Sequence, residues 1–340
     1  MSGGVDSSVA AAVLARAGHE VVGATLKLWG GASDSGCCSV GDVDDARRVA
    51  GQLGVDHHVF NFTEAFEEAV VGPYVADHGA GRTPNPCIEC NRTIKFGLLL
   101  ERAQRLGFDA LATGHHARVV EGPRLRRGAD TGKDQSYVLA MLSERELERV
   151  LLPVGELTKA EVRATASALG LRTADKPDSQ DVCFIHSGTG RRDFLAQRMP
   201  LHPAELVDVR SGEVVGRVPA GELVTVGQRR GLGVGPGGHR RYAITVDAQK
   251  RRVTVGSALD ALGRRVAVDR VSWIGPALVP GASALAQCSA HGNAARCTWE
   301  GDAVVFDEPQ PLVAPGQTVA LYDELDTDAV VGAAVATTPT

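Results

Sequence analysis

The first half of the chain alternates between helical and extended hydrophobic patterns. The run Val9-Ala10-Ala11-Ala12-Val13-Leu14-Ala15 predicts a helix, and the apolar run Val21-Val22-Gly23-Ala24-Thr25-Leu26 predicts a short buried strand. Helical periodicity returns at residues 43–53, 91–106 and 159–169, with extended segments at 57–60 and 110–113 between them. Strands separated by helices of about 10–15 residues imply βαβ units and a parallel sheet. The pattern changes near residue 188. After Ser187-Gly188-Thr189-Gly190, one amphipathic helix at 192–198 gives way to short strands punctuated by Gly and Pro, at 213–218, 243–247, 252–256 and 303–306. The expected architecture is an α/β domain over residues 1–187, a small central β-rich domain over 188–262, and a C-terminal β-barrel over 263–340.

Composition narrows the class. With 340 residues, 44% hydrophobic and 23% charged, the chain is of ordinary globular make-up, which excludes a disordered or collagen-like protein. No apolar run reaches the ~18 residues of a membrane span, and Met1-Ser2-Gly3-Gly4-Val5-Asp6 is not a secretory signal, so a cytoplasmic location is expected. In that compartment the seven cysteines point to catalysis or metal binding rather than structural disulfides. The net charge of −5 argues against a basic nucleic-acid binder, but its distribution argues otherwise. Between Gln228 and Arg252 stand Arg229, Arg230, Arg240, Arg241, Lys250, Arg251 and Arg252 against Asp247 alone. Between Glu300 and Asp328 there are eight acids and no Lys or Arg. The average hides a segment suited to phosphate contacts, with a solvated loop as the alternative.

The strongest local chemistry is at the start. In Ser2-Gly3-Gly4-Val5-Asp6-Ser7-Ser8 two glycines let successive N–H groups share one concavity, three hydroxyls add donors, and the following helix N-terminus favours an anion. The Lys of a Walker loop is missing, so a Walker-type NTPase is not expected. The string matches the SGGxDS signature of ATP pyrophosphatases, which cleave ATP between its α- and β-phosphates. In that superfamily a buried strand precedes the loop, so the chain is expected to begin one strand late.

Two further cysteines draw attention. Cys90, in Pro84-Asn85-Pro86-Cys87-Ile88-Glu89-Cys90, is expected at a helix start where the macrodipole and Arg92 favour a thiolate. Cys183 lies in Asp178-Ser179-Gln180-Asp181-Val182-Cys183 near the domain change. A zinc site would need a second ligand pair, and neither Cys37-Cys38 nor Cys288 with Cys297 forms another CxxC, so no metal site is expected. Cys288 and Cys297 read as small buried hydrophobes.

Six blocks in order then resemble the tRNA-specific 2-thiouridylase family over essentially the whole chain. They are residues 2–8, 83–96, 112–118, 133–137, 178–185 and 226–233. The resemblance implies an adenine nucleotide alpha hydrolase-like (PP-loop) domain, a central domain and a β-barrel. It implies ATP held by Ser2, Gly3, Gly4, Val5, Asp6, Ser7 and Ser8, with Leu26 and Gly114 lining the nucleotide site and magnesium balancing the phosphates. Cys90 matches the nucleophile and Cys183 the cysteine that carries a persulfide. Asn85, Pro86 and Cys87 match the segment that meets the target base, although the family often has Asp where Cys87 stands. His115, Lys133, Asp134, Gln135 and Gln317 match tRNA-contacting positions. The family's Arg-Tyr contact falls near Ser289-Ala290, where neither residue is present.

The implied reaction adenylates the 2-carbonyl of a wobble uridine and replaces it with sulfur, leaving a Cys90–Cys183 disulfide. The implied partners are the anticodon arm of tRNA, gripped in part by Arg240 and Arg241, and a persulfide donor protein. Two alternatives stay open. An amide-forming ATP pyrophosphatase explains residues 2–8 but leaves both cysteines idle. An iron–sulfur RNA-binding protein would use Cys87, Cys90 and Cys183 as thiolate ligands.

Overall fold

The computed structural model describes residues 1–29, 40–178, 182–185, 190–234 and 238–337. Cys37, Cys38, Ser179–Asp181 of the Cys183 block and Ser187-Gly188-Thr189 lie outside the described residues. The chain divides into two compact units. The first holds residues 1–70, 87–190 and 328–330, and the second holds 71–86, 191–327 and 331–340.

In the first unit, helix α1 (Val5–Arg16) follows the glycine pair directly, with Asp6 in its first turn and Arg16 in its last, both favourable to the helix dipole. It ends at Ala17, and Gly18 beyond it takes φ +87°, the left-handed conformation a helix stop favours. Strand β1 (Val22–Lys27) pairs in parallel with β2 (Asp56–Asn61) across helix α2 (Val40–Leu53), with Leu26 opposite Phe60. A second parallel pair joins β3 (Leu111–Ala112) to β6 (Val150–Leu151), and β4 (Ala117–Val120) forms a hairpin with β5 (Arg124–Arg127).

The expected parallel sheet is thus present as two pairs among the described residues. The chain between them is the glycine loop. The Met1 amino group donates to the Ala24 carbonyl and Thr25 Oγ1 donates to Met1 O at 2.6 Å, while Gly114 beyond β3 lies on the Asp6–Ser7 backbone. Val5, Val9, Ala10, Val49, Val162 and Ala166 bury the helix faces around this arrangement.

The long helix expected over 91–106 is subdivided. A turn at Pro86–Glu89 leads into a wide-pitched stretch, Cys90–Leu99, and ordinary pitch returns at Leu100–Arg105. Thr93 Oγ1 donates to the Glu89 carbonyl at 2.6 Å and Asn91 Nδ2 to Val138 O at 3.1 Å, local bonds that compete with the regular ladder. Wide turns of this kind are frequent at functional sites.

In the second unit, β7 (Ala204–Asp208), β8 (Val214–Val218), β9 (Tyr242–Asp247) and β10 (Arg252–Gly256) form a sheet in the order β8-β7-β10-β9. The strands β11 (Leu262–Trp273), β12 (Ser283–Gln287), β13 (Ala295–Trp299), β14 (Ala303–Pro311), β15 (Thr318–Tyr322) and β16 (Val330–Ala336) close a barrel, which removes exposed strand edges. Trp273 and Trp299 meet edge to face at 5.2 Å in its core.

His78 is buried on helix Gly72–Gly79, edge to face with Tyr74 at 4.6 Å. Burial and the Arg191 charge push its imidazole down to about 4. The unfolded chain therefore takes up this proton at higher pH than the native one, and stability should fall as pH drops from ~6.5 toward 4. The slope of melting temperature against pH in that window should be shallower in His78→Gln. It should not vanish, because His57 and His115 are shifted in the same direction.

Candidate active site

The glycine loop is held by backbone contacts that leave no room for side chains. Gly3 takes φ +70°, and a Cβ there would sit 2.4 Å from the Asp42 carbonyl oxygen. A Cβ on Gly114 would lie 2.5 Å from both Asp6 C and Ser7 N. The serines turn inward: Ser8 Oγ donates to Gly4 O at 2.8 Å, Ser7 Oγ donates to Gly4 O at 3.2 Å, and the Ser2 amide donates to Ser7 Oγ at 3.1 Å. No side chain caps α1, so the first-turn N–H groups stay open to an anion.

Around Asp6 a connected set of charges converges. Lys159 Nζ reaches both Asp6 oxygens at 2.7 and 2.8 Å, and His116 Nε2 lies 3.2 Å from Oδ1. Burial alone would raise the Asp6 carboxyl, but the bonds from His116 and Lys159 outweigh it and hold the group below its usual value. Lys159 also pairs with Asp178 at 2.9 Å. Lys133 and Arg163 each meet the same carboxylate at 2.9 Å. Burial opposes ionisation of Asp178 as well, yet its Lys159 and Lys133 partners hold it down to about 2. A Thr158–Glu161 capping box places Lys159 in the first turn of helix Lys159–Ala168, and Asp130 Oδ2 accepts the Lys159 amide at 2.9 Å.

The cysteines of this unit differ in setting. Cys87 is exposed, Cys90 is buried, and Cys183 is half-buried beside Phe184, whose ring packs edge to face on Phe66 at 5.6 Å. Cys90 stands one helical turn inside the segment that opens at Pro86, not at a helix start, and Arg92 is paired with Glu89 at 2.7 Å. Among the described residues no group of three His, Cys, Asp or Glu side chains is gathered to hold a metal. In particular, Cys87, Cys90 and Cys183 do not form a ready three-thiolate set.

Comparison with known proteins now bears on this geometry. Residues 1–187 match the family described as a tRNA methyl transferase HUP domain, 192–257 the corresponding PRC-barrel domain, and 264–336 an aminomethyltransferase beta-barrel domain. A relative from Acidothermus cellulolyticus, named tRNA-specific 2-thiouridylase MnmA, is 45% identical over 95% of this chain and 92% of its own. Another of the same name, from Mycobacterium leprae, is 45% identical over 98% of this chain and 96% of its own. The chain belongs to the tRNA-specific 2-thiouridylase family. Its members are enzymes, sulfurtransferases by name.

The remaining residues that the 2-thiouridylase resemblance singles out fall into two groups. In the first unit, Leu26 is half-buried on β1. His115 bonds Thr113 Oγ1 through Nδ1 at 2.8 Å and lies 5.9 Å from the Phe96 ring. Burial and the Lys95 charge push it down to about 3, a neutral imidazole. Lys133 is turned to Asp178. Asp134 accepts from Arg127 and from the Gly128 amide, each at 2.9 Å, and from the Ser136 hydroxyl at 2.8 Å. Gln135 Oε1 accepts the His116 amide at 2.9 Å. Asp134 and Gln135 thus shape the turn that carries Lys133.

In the second unit, Gln317 Nε2 donates to the Thr83 carbonyl, and the Thr83 amide donates to Pro315 O at 2.7 Å. Gly316 takes φ +91°, and a Cβ there would lie 3.3 Å from Pro84 N. Gln317 therefore holds the irregular segment that precedes the helical turn at Pro86. Arg240 is exposed, whereas Arg241 is half-buried and donates to Val215 O at 3.3 Å. In the barrel, burial pushes the Cys288 and Cys297 thiols up to about 12, in keeping with inert packing residues.

Sequence reasoning missed Lys159, Arg163 and His116. The Thr158-Lys159-Ala160-Glu161 string is itself a capping-box signature and marked where Lys159 would stand, but nothing in the string shows that it faces Asp6.

Gly114→Ala should lower stability by about 2 kcal/mol through overpacking against the loop. Gly51→Ala is the control: its Cβ position is open and helical, so a gain of about 0.5–1 kcal/mol is expected. Urea unfolding of both variants checks the pair.

Proposed function

We propose that this chain is a tRNA 2-thiouridylase that adenylates a wobble uridine with ATP and replaces the 2-oxygen with sulfur. The observation that carries the reading is the uncapped α1 N-terminus beneath the glycine loop, locked by Gly3 and Gly114, in a chain that also supplies Cys90 and Cys183. On this reading residues 1–187 form the nucleotide domain, with 188–262 and 263–340 as the central and barrel domains that receive tRNA.

The 2-carbonyl oxygen attacks the α-phosphorus of ATP, and pyrophosphate leaves. Oxygen thereby becomes part of AMP, a far better leaving group. A persulfide on Cys183, loaded by a donor protein, attacks C2 through its terminal sulfur, and AMP departs with the original oxygen. The Cys90 thiolate then attacks the Cys183 sulfur, breaking the S–S bond to release 2-thiouridine and leaving a Cys90–Cys183 disulfide. An external thiol returns two electrons to reset it.

The two cysteines must meet with Cα atoms within about 7 Å for this last bond. Magnesium fits the same scheme as an ion held mainly by phosphate oxygens and water, since it is seldom held in an all-protein cage. A target base must leave its stack to be reached, which suits an anticodon loop. Arg240 and the exposed Arg229, Arg230, Arg251 and Arg252 are the phosphate contacts in this reading, and Arg241 is a packing residue.

The domain descriptions speak of methyl transfer, and that is the second reading. The PP-loop geometry and the cysteine pair favour thiolation over it. The amide-forming alternative again leaves both cysteines without a role.

The assay combines protein, ATP, magnesium, a persulfide donor and uridine-wobble tRNA, and measures AMP with thiolated nucleoside. Cys183→Ser should abolish the thiolated product and its accompanying AMP, while pyrophosphate release from the adenylation step persists. Full thiolation in that variant overturns the reading. Arg240→Ala should weaken tRNA binding and lower the slope of log K against log salt by about one, with ATP affinity unchanged. Arg241→Ala should instead lower the melting temperature.

A further inference from the structure

Three cations, Lys133, Lys159 and Arg163, meet one carboxylate, Asp178, each at 2.9 Å. They come from two places in the chain. Lys159 opens its helix under the capping box, Arg163 follows one turn later, and Lys133 is set by a turn in which its amide donates to Asp130 O at 3.0 Å. Arg163 also donates to the carbonyls of Ala174 and Lys176 at 2.6 and 3.1 Å, and Lys176 Nζ reaches Asp42 and Asp45 at 2.6 and 2.9 Å. Residues 174–178 are therefore tied to α2 through Lys176, and through Lys159 to Asp6 in the first turn of α1.

Lys159 Nζ bonds Asp178 while also holding Asp6, in the first turn of α1. A carboxylate accepting from two ammonium groups and a guanidinium occupies the position that a phosphate would take, since phosphate and carboxylate accept the same donors. Asp130 faces the cluster as well, but its oxygens are engaged by the Lys159 and Gly132 amides at 2.9 and 3.0 Å.

We propose that Lys133, Lys159 and Arg163 form a subsite for the β- and γ-phosphates of ATP, filled in the nucleotide-free protein by the Asp178 carboxylate, which those phosphates displace. The inference rests on the ATP reading above.

Titration calorimetry with ATP, pyrophosphate and AMP, on wild type, Asp178→Asn and Lys133→Gln, tests it. Asp178→Asn removes the competing anion and should tighten ATP and pyrophosphate by about tenfold, the scale of one charge-assisted hydrogen bond. AMP, lacking the terminal phosphates, should bind unchanged. Lys133→Gln should weaken ATP and pyrophosphate, and it keeps the test open if Asp178→Asn does not fold.

If wild type binds neither ATP nor pyrophosphate, the ATP reading itself fails. If wild type binds both while Asp178→Asn binds them no tighter, or Lys133→Gln binds them as wild type does, the displacement inference is overturned and the ATP reading stands.

Discussion

The ammonium of Lys159, held between Asp6 and Asp178, is the interaction on which the site depends. Bonds of 2.7 to 2.9 Å join the first turn of α1 to the segment before Cys183 through a single side chain. Half-buried charges of opposite sign hold each other because each is costly to leave unpaired; Asp178 also meets Lys133 and Arg163 and Asp6 also meets His116, but Lys159 is the side chain that joins the two carboxylates. The capping box that sets Lys159 at the head of its helix is thus a local feature with a long-range result.

The same economy of space governs the backbone around it. Gly3 against Asp42 and Gly114 against Asp6 and Ser7 bring main chain to main chain, so the loop is shaped by contacts that any Cβ would prevent. Phosphate recognition by N–H groups needs that rigidity, because the donors must point to one place before the ligand arrives. In the second unit the turn around Gly316 and Gln317 does comparable work on residues 83–86, by hydrogen bonds from a closed barrel that supplies a stiff base.

Much of this was legible in the linear pattern. The change from helix-spaced strands to closely spaced ones marked where α/β structure gives way to β structure, because side-chain periodicity follows backbone geometry. The SGG string announced a tight loop at a helix start, since glycine at φ > 0 carries the cheapest bend. The setting of Cys90 differs from the expected helix start, because Pro86 begins a helical turn and sets Cys90 one turn deeper. Asp134, Gln135 and Gln317 also make hydrogen bonds within the protein that no linear motif records.

The sequence by itself determined the main element types, the tight glycine loop at a helix start and the membership of a tRNA-modifying family, because those depend on periodicity, on glycine placement and on ordered motifs. Only the tertiary structure decided which charges meet. Lys159 stands 153 positions from Asp6, and Lys133 stands 45 from Asp178, yet each pair is within hydrogen-bond reach. Ion pairing depends on distance in space and on burial, neither of which a linear pattern records.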